Sequence, residues 1–101
     1  MKRDIPLAHP GEILLEDFLK PMGISQYRLA KEIGVTQRRI GLICTGQRAI
    51  TPDTALRLAA FFGTDAQSWV NLQGHYDTEL AREVMSDILA NIHRYTPAHA
   101  I

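Results

Sequence analysis

The sequence contains little of what disulfide-bonded, membrane-spanning or metal-binding proteins need. It has one cysteine, Cys44, in 101 residues, so no internal disulfide can form. No apolar run approaches the roughly 20 residues of a membrane-spanning helix, and the opening MKRDIPLAHP lacks the apolar middle of a signal peptide. The four histidines have no cysteine partners at zinc-site spacing. We therefore expect a cytoplasmic protein without a bound metal or other cofactor.

Catalytic patterns are missing as well. The sequence has no nucleophile and base at a usable spacing, no glycine-rich phosphate loop and no paired carboxylates. Trp69, Leu72 and Tyr76 recur at helical spacing and are expected in a core. Cys44 is expected to be a small buried hydrophobe. We therefore predict no catalytic residue and a protein that is not an enzyme.

The chain also lacks net charge, but its charges are unevenly distributed. Lysine and arginine together number 11, as do aspartate and glutamate. Residues 24–50 hold five basic side chains against Glu32 and carry +4, whereas residues 1–23 carry −1 and residues 51–101 carry −3. Local charge steers a polyanion toward one face of a protein more than total charge does. The middle of the chain is therefore a candidate surface for nucleic acid.

Helix signals recur along the whole chain, and strand signals are nearly absent. Pro21 is expected to stop the first helix, and residues from Thr96 onward are expected to form a frayed tail. Apolar residues at helical spacing, N-caps and terminal glycines predict six helices: about Gly11–Lys20, Gln26–Ile33, Gln37 to about Gly46, Thr51-Pro52 to Gly63, one from about Asp65 and one from about Thr78. The predicted fold class is all-α.

The segment GVTQRRIGLICTG, residues 34–46, has the spacing of a helix-turn-helix. Only three residues separate the two helices, which must therefore cross at a steep angle. The apolar positions of the second helix face the core, so the polar residues of its first turn, Gln37, Arg38 and Arg39, cannot all point inward. Arginine can form two hydrogen bonds with guanine and glutamine two with adenine, each good pair giving roughly 1 to 3 kcal/mol of discrimination. We predict that these three residues read DNA bases.

Five further residues are candidate phosphate contacts. Residues that begin a helix offer backbone N–H groups and short polar side chains to an anion. A basic side chain in the loop after the second helix could hold the DNA strand on the other side. The five candidates are Ser25, Gln26, Thr36, Thr45 and Arg48.

Three consecutive segments resemble one known family. SQYRLAKEIGVTQRRIGLICTGQRAIT is similar to the helix-turn-helix of phage repressors, the XRE family. HPGEILLEDFLKPMGIS before it and TALRLAAFFGTDAQSWVNLQGHYD after it resemble the HigA group of antitoxins, over about Pro10 to Asp77. The resemblance implies a five-helix DNA-binding domain that dimerises and binds a palindromic operator near its own promoter. It also implies a partner, a HigB-like toxin that cleaves messenger RNA and is held inactive.

The resemblance also assigns roles by matching positions. It implies that Gln37, Arg38 and Arg39 read bases, with Gln26 and Arg48 near phosphates. The sequence departs from the family pattern at Gly41 and Leu42, where many such repressors place a second polar reader. Direct base recognition is therefore expected to be confined to the first turn, with Leu42 able to contact a thymine methyl group.

The end of the chain carries an apolar stripe, defined as Leu80, Val84, Ile88 and Ile92. Residues 1–77 are expected to form the helix-turn-helix domain, and residues 78–101 a helical extension and tail. The stripe has three possible partners: its own domain, its copy in a homodimer, or a toxin. A free helix would expose this apolar face to water, and large exposed apolar patches are uncommon on protein surfaces.

Two alternative functions remain open from the sequence. The chain could be a stand-alone XRE-family repressor without a toxin, which the identity of the neighbouring gene would reveal. It could also be a helix-turn-helix module that binds proteins and not DNA. That second alternative predicts only weak DNA binding without sequence preference.

Overall fold

The computed structural model describes residues 7–98. Within that range the chain forms six helices and no strand, which confirms the all-α prediction. The helices are α1 (Pro10–Ile13, Leu14–Leu19 and Lys20–Met22 in continuous sequence), α2 (Gln26–Ile33), α3 (Gln37–Cys44), α4 (Pro52–Phe62), α5 (Ala66–Val84) and α6 (Ser86–Ala90). The last residues of the tail predicted from Thr96, residues 99–101, lie outside the described part of the chain.

Helix α1 continues past Pro21, so the prediction that this proline ends the first helix is wrong. The middle of α1, Leu14–Leu19, is π-helical, and the N–H group of Lys20 bonds to the carbonyl of Leu15, five residues back. A proline ring ordinarily clashes with the carbonyl four residues earlier, and the wider π turn displaces that carbonyl. The helix ends instead at Gly23, whose φ of 66° is left-handed.

Helices α2 and α3 form the predicted helix-turn-helix. Gly34, with φ of 75°, ends α2, and only Val35 and Thr36 follow before α3 begins. Glycine is favoured at this position because other side chains are strained at positive φ. The predicted range of α2 is confirmed, and α3 ends at Cys44, two residues before Gly46.

Helix α5 is continuous over 19 residues, so the prediction of a new helix starting at Thr78 is wrong. A capping residue must leave helical geometry, and neither glycine nor proline next to Thr78 interrupts the backbone hydrogen bonds. The interruption comes at Met85, with φ of −98° and ψ of 10°, one residue before α6. The division into residues 1–77 and 78–101 stays a prediction, and its boundary lies inside α5.

The core lies among α1, α2, α3, α4 and the first half of α5. Each of these helices, and the loop before α4, contributes buried apolar side chains, and close packing of such a group supplies most of the stability of a small domain. The buried set is Leu14, Leu19, Leu29, Ala30, Ile33, Ile40, Ile43, Cys44, Ile50, Ala55, Leu58 and Trp69. Cys44 is therefore a buried small side chain, as predicted.

Gln73 is a buried residue of α5 that the sequence did not indicate. Its Oε1 atom accepts a hydrogen bond from the N–H group of Ile50 at 2.8 Å, and its Nε2 atom donates to Asp77 at 3.0 Å. Trp69 is buried as predicted, whereas Leu72 is exposed, so that part of the predicted packing face is wrong. The polar Gln73 takes the inner position because the loop before α4 presents an N–H group there.

The second half of α5 and all of α6 leave the globular part of the molecule. The structure measures 60 × 29 × 21 Å, and every residue from 80 to 98 is exposed. Within residues 7–98, none of the helices has both the length and the apolar character that crossing a membrane would require. The first four helices and the first half of α5 therefore form the body that presents the helix-turn-helix, and the chain after them projects outward.

Candidate nucleic-acid interface

The predicted base readers lie in the first turn of α3. Thr36 caps this helix, because its Oγ1 atom accepts a hydrogen bond from the N–H group of Arg39 at 3.1 Å. Ile40, one turn later, is completely buried and anchors α3 to the core. The side chains of Gln37 and Arg38 are exposed. The structure therefore leaves these two readers accessible to a DNA groove.

Arg39 is placed differently from its two neighbours. Its side chain is only 21% exposed, and its Nη2 atom donates to Oδ1 of Asp53 at 3.4 Å. Its Nε atom is buried and has no hydrogen-bond partner among the described residues. The guanidinium group thus lies against the start of α4. Its role as a base reader stays a prediction.

Two residues of α4 that the sequence did not single out join this arrangement. Arg57 donates from Nε to Oδ1 of Asp53 at 2.8 Å, and from Nη1 to the carbonyls of Ile33 at 2.7 Å and Gly34 at 3.4 Å. The hydrogen bond from Arg57 is the main reason that the pKa of Asp53 lies below its ordinary value, and the charge of Arg39 adds to it. We call this group the Arg39–Asp53–Arg57 bridge. It connects the turn of the helix-turn-helix to the first turn of α3.

The start of α2 lies beside the middle of α3. Ser25 caps α2, because its Oγ atom accepts from the N–H group of Arg28 at 3.0 Å. Gln26 is half-buried, and its Oε1 atom lies 3.6 Å from where a Cβ atom on Gly41 would be. A Cβ atom at Gly41 would therefore make only an ordinary van der Waals contact with Gln26. Of the two phosphate candidates, Ser25 caps α2, and Gln26 lies against the middle of α3.

The two candidates at the other end of α3 differ in availability. The hydroxyl of Thr45 lies 3.1 Å from the carbonyl of Gly41 and 3.2 Å from that of Leu42, and it accepts from Nε2 of Gln47 at 3.0 Å. The hydroxyl proton of Thr45 is therefore already donated to the carbonyls of α3. Arg48 is exposed in the loop after α3, where a phosphate could reach it. The phosphate roles of both residues stay predictions.

The start of α1 holds α3 from behind, a role that the sequence did not reveal. A Cβ atom on Gly11 would overlap the carbonyl group of Ile43, so only glycine fits at this position. His9 caps α1 through Nδ1, which accepts from the N–H group of Gly11 at 2.8 Å. The His9 ring packs edge to face against Tyr76 with centroids 4.8 Å apart. The available signal was a proline just inside a helix start, after a polar residue.

Metal-binding residue types are dispersed in the described chain. His75 and His93 are exposed, and His9 is engaged as a cap. Burial raises the pKa of the Cys44 thiol, which disfavours the thiolate that a metal ligand or a nucleophile requires. Over residues 7–98, no three or more histidine, cysteine, aspartate or glutamate side chains form a group that could hold a metal ion.

The apolar stripe is exposed along its whole length. It does not fold back on its own domain within the described residues, so that alternative is wrong. Ile92 lies beyond the end of α6, and Met85 interrupts the helix between the first two members of the stripe and the last two. The exposed fractions are 40% for Leu80, 84% for Val84, 58% for Ile88 and 63% for Ile92. The role of the stripe as a dimer or partner contact stays a prediction.

Comparison with known proteins gives the family of this fold. The helix-turn-helix family model HTH_3 matches residues 15–69, which extend from α1 into the start of α5. Virulence-associated protein I of Dichelobacter nodosus is 54% identical to this chain over 82 residues. That alignment covers 81% of this chain and 76% of the relative.

Two solved structures share the fold and much of the sequence. The Pseudomonas aeruginosa antitoxin HigA, solved with the higBA promoter, has a TM-score of 0.86 and 35% identity, over 90% of this chain and 100% of that one. An addiction module antidote protein of the HigA family from Coxiella burnetii has a TM-score of 0.83 and 40% identity, with the same coverage of both chains. The chain therefore belongs to the HigA-type antitoxins of the XRE helix-turn-helix family.

Proposed function

We propose that this chain is the antitoxin of a HigB/HigA-type toxin–antitoxin module. It binds operator DNA, represses its own operon and neutralises a cognate toxin that cleaves messenger RNA. These events take place in the cytoplasm. The observation that carries the proposal is the first turn of α3, where Gln37 and Arg38 are exposed while Ile40 is buried. The relative from P. aeruginosa, an antitoxin solved with a promoter, supports DNA binding by a protein of this fold.

Base recognition follows from the side chains of that turn. Arg38 has the planar fork that pairs with both acceptors of guanine, and Gln37 has the amide that pairs with adenine. Both are exposed on α3, which the major groove is wide enough to receive. Arg39 is the third reader of the proposal. Its contact with Asp53 gives it a fixed position beside the other two.

Phosphate contacts come from the residues around the readers. The starts of α2 and α3, capped by Ser25 and Thr36, present backbone N–H groups and the positive end of a helix dipole. Gln26 lies between the two helices, and Arg48 is exposed after α3. These contacts supply affinity and orientation on the duplex and carry little sequence information.

A homodimer completes the DNA-binding unit. The exposed stripe on α5 and α6 supports a symmetric contact, in which the same apolar surface of two chains is buried. Two-fold symmetry would place two copies of α3 about 34 Å apart, one turn of the DNA helix. Each subunit would then read one half of a palindromic operator.

Binding to a duplex from the region upstream of the gene tests the DNA-binding part. We expect nanomolar affinity for that duplex and much weaker binding to a scrambled duplex of equal length. Arg38→Ala together with Gln37→Ala should remove the preference, because each pair carries roughly 1 to 3 kcal/mol. Arg82→Ala is the matched control, an exposed arginine on α5 far along the chain from the readers. Equal affinity of the double variant and the control would contradict the assignment.

Co-expression with the neighbouring open reading frame tests the toxin part. We expect the neighbouring gene alone to stop growth, and this chain to restore it and to co-purify with the product. A neighbouring gene that is harmless, or a toxin that this chain does not bind, would favour the stand-alone repressor. The DNA measurement is independent of that outcome.

A further inference from the structure

Asp53 is the only acidic side chain that contacts a proposed base reader in the described part of the chain. Its Oδ1 atom is shared by Arg39 at 3.4 Å and Arg57 at 2.8 Å. Asp53 is exposed at the start of α4 and contacts the first turn of α3, which the proposed function places against DNA. An acidic group there repels phosphates, and its presence therefore needs a physical reason.

The geometry of the bridge supplies that reason. Arg57 is fixed at one end by the carbonyl of Ile33 at 2.7 Å, in the turn of the helix-turn-helix. Its Nε atom holds the Asp53 carboxylate, which is thereby oriented toward α3. Arg39 donates to the same Oδ1 atom and is less exposed than Gln37 and Arg38 in its turn. The bridge thus determines where the Arg39 guanidinium lies before DNA arrives.

The Arg39 guanidinium remains incompletely satisfied in this position. Its contact with Asp53 is long for a charged hydrogen bond, and its buried Nε atom has no partner among residues 7–98. The guanidinium group therefore lies beside Asp53 without a full set of hydrogen bonds, and its buried Nε atom is closed to a ligand in this position. A free arginine would instead sample many rotamers and reach any nearby phosphate.

We propose that Asp53 is a positioning residue for DNA specificity, which holds Arg39 for operator contacts and keeps it from binding phosphates indiscriminately. This inference rests on the proposed DNA binding and extends it to a residue outside the recognition helix. A pre-positioned side chain loses less conformational freedom on binding its correct site.

The test compares Asp53→Asn with the wild-type chain on two duplexes, one from the upstream region and one scrambled, at several salt concentrations. Asparagine keeps the shape and can still accept from Arg57, but it does not retain a cation by charge. We expect affinity for the scrambled duplex to rise roughly fivefold and its salt slope to steepen by about one, because one more cation meets phosphate. The ratio of operator to scrambled affinity should fall roughly tenfold.

Asp65→Asn is the matched control, because it removes the same charge at the start of α5 and leaves the bridge intact. It should change the specificity ratio by less than about twofold. It should change the salt slope by no more than a few tenths. The same Asp53 substitution in an Arg39→Ala background should leave the ratio nearly unchanged. An undiminished effect in that background would show that Asp53 acts by its own charge, and would overturn the proposal.

A measurement on the unmodified protein covers the case in which Asp53→Asn does not fold. The nitrogen signal of Arg39 Nε, assigned with Arg39→Lys, should shift as acid protonates Asp53. A signal that ignores this titration would overturn the inference. The two proposals fail differently: a wild-type chain without operator preference contradicts the proposed function, whereas an operator-to-scrambled ratio that Asp53→Asn does not lower contradicts only this inference.

Discussion

Nδ1 of His9 accepts a hydrogen bond from the N–H group of Gly11 at 2.8 Å, and Gly11 lies so close to α3 that a Cβ atom there would overlap the carbonyl of Ile43. A protonated imidazole has no lone pair, so the cap exists only with neutral His9. Burial lowers the pKa of His9, although the charges of Asp77 and Glu12 act in the opposite direction. The start of α1 is therefore linked to pH.

The stability of the protein should fall as the pH decreases below about 6.5, the ordinary pKa of histidine. Because the folded-state pKa of His9 is lowered, the unfolded chain binds the proton first, and stability is lost from pH 6.5 downward through the folded-state pKa. Thermal unfolding between pH 8 and pH 5 measures the effect. His9→Asn keeps a capping side chain that does not titrate, so its melting temperature should depend less on pH. Parallel curves for both proteins would contradict this prediction.

Gly11→Ala should destabilise the protein severely, because the new methyl group would overlap the carbonyl of Ile43 and push α1 from α3. Overpacking of a core commonly costs about 1 to 3 kcal/mol, and backbone leaves less room than side chains do. Gly74→Ala is the matched control, since a Cβ atom there meets nothing within 4 Å. It should stabilise α5 by up to about 1 kcal/mol. Urea unfolding measures the free energy of unfolding of both variants. Equal values would refute the close approach of Gly11 to the carbonyl of Ile43.

Gln73→Ala should lower the free energy of unfolding by about 1 to 3 kcal/mol, because the N–H group of Ile50 would stay buried without a partner. Gln67→Ala offers the comparison, because its amide donates to Asn71 on the exposed surface. That loss should cost less than about 0.5 kcal/mol. Calorimetry of the two variants under one condition gives the difference. Similar losses would mean that the bond to Ile50 contributes little.

Val84→Glu and Ile88→Glu should each convert the proposed homodimer to monomer at micromolar concentration. A carboxylate buried without a partner in an apolar contact is costly enough to raise the dimer dissociation constant at least tenfold. Gln67→Glu adds the same charge at the other end of α5 and should remain dimeric. Sedimentation velocity gives the masses. If the wild-type chain is a monomer, or if all the variants are dimers, the stripe is not the dimer contact.

The helix-turn-helix could be predicted from the sequence because its determinants are local. Ser25, Gly34 and Thr36 fix the ends of α2 and α3 within a few residues of themselves. The burial of Ile40 and Ile43 follows from helical periodicity alone. Such signals need no knowledge of the rest of the fold.

The remaining features depend on residues far apart in the chain. Arg57 and the carbonyl of Ile33 are 24 positions apart, so no local pattern in the sequence indicated the bridge. The continuation of α1 past Pro21 depends on a π-helical turn, which has no recognised sequence pattern. The inward position of Gln73 depends on a loop that begins more than 20 residues earlier.

The uninterrupted course of α5 has a mechanical consequence. Its 19 residues form a helix about 28 Å long. The first turn of this helix contains the buried Trp69, and its last residue is the exposed Val84. In a dimer joined through the C-terminal end of α5, the length of this helix would set the distance between the two copies of α3. Adding one residue between Gly74 and Leu80 would rotate one end by about 100° against the other. The spacing between the operator half-sites would then be determined by the length of a rigid helix and not by a flexible linker.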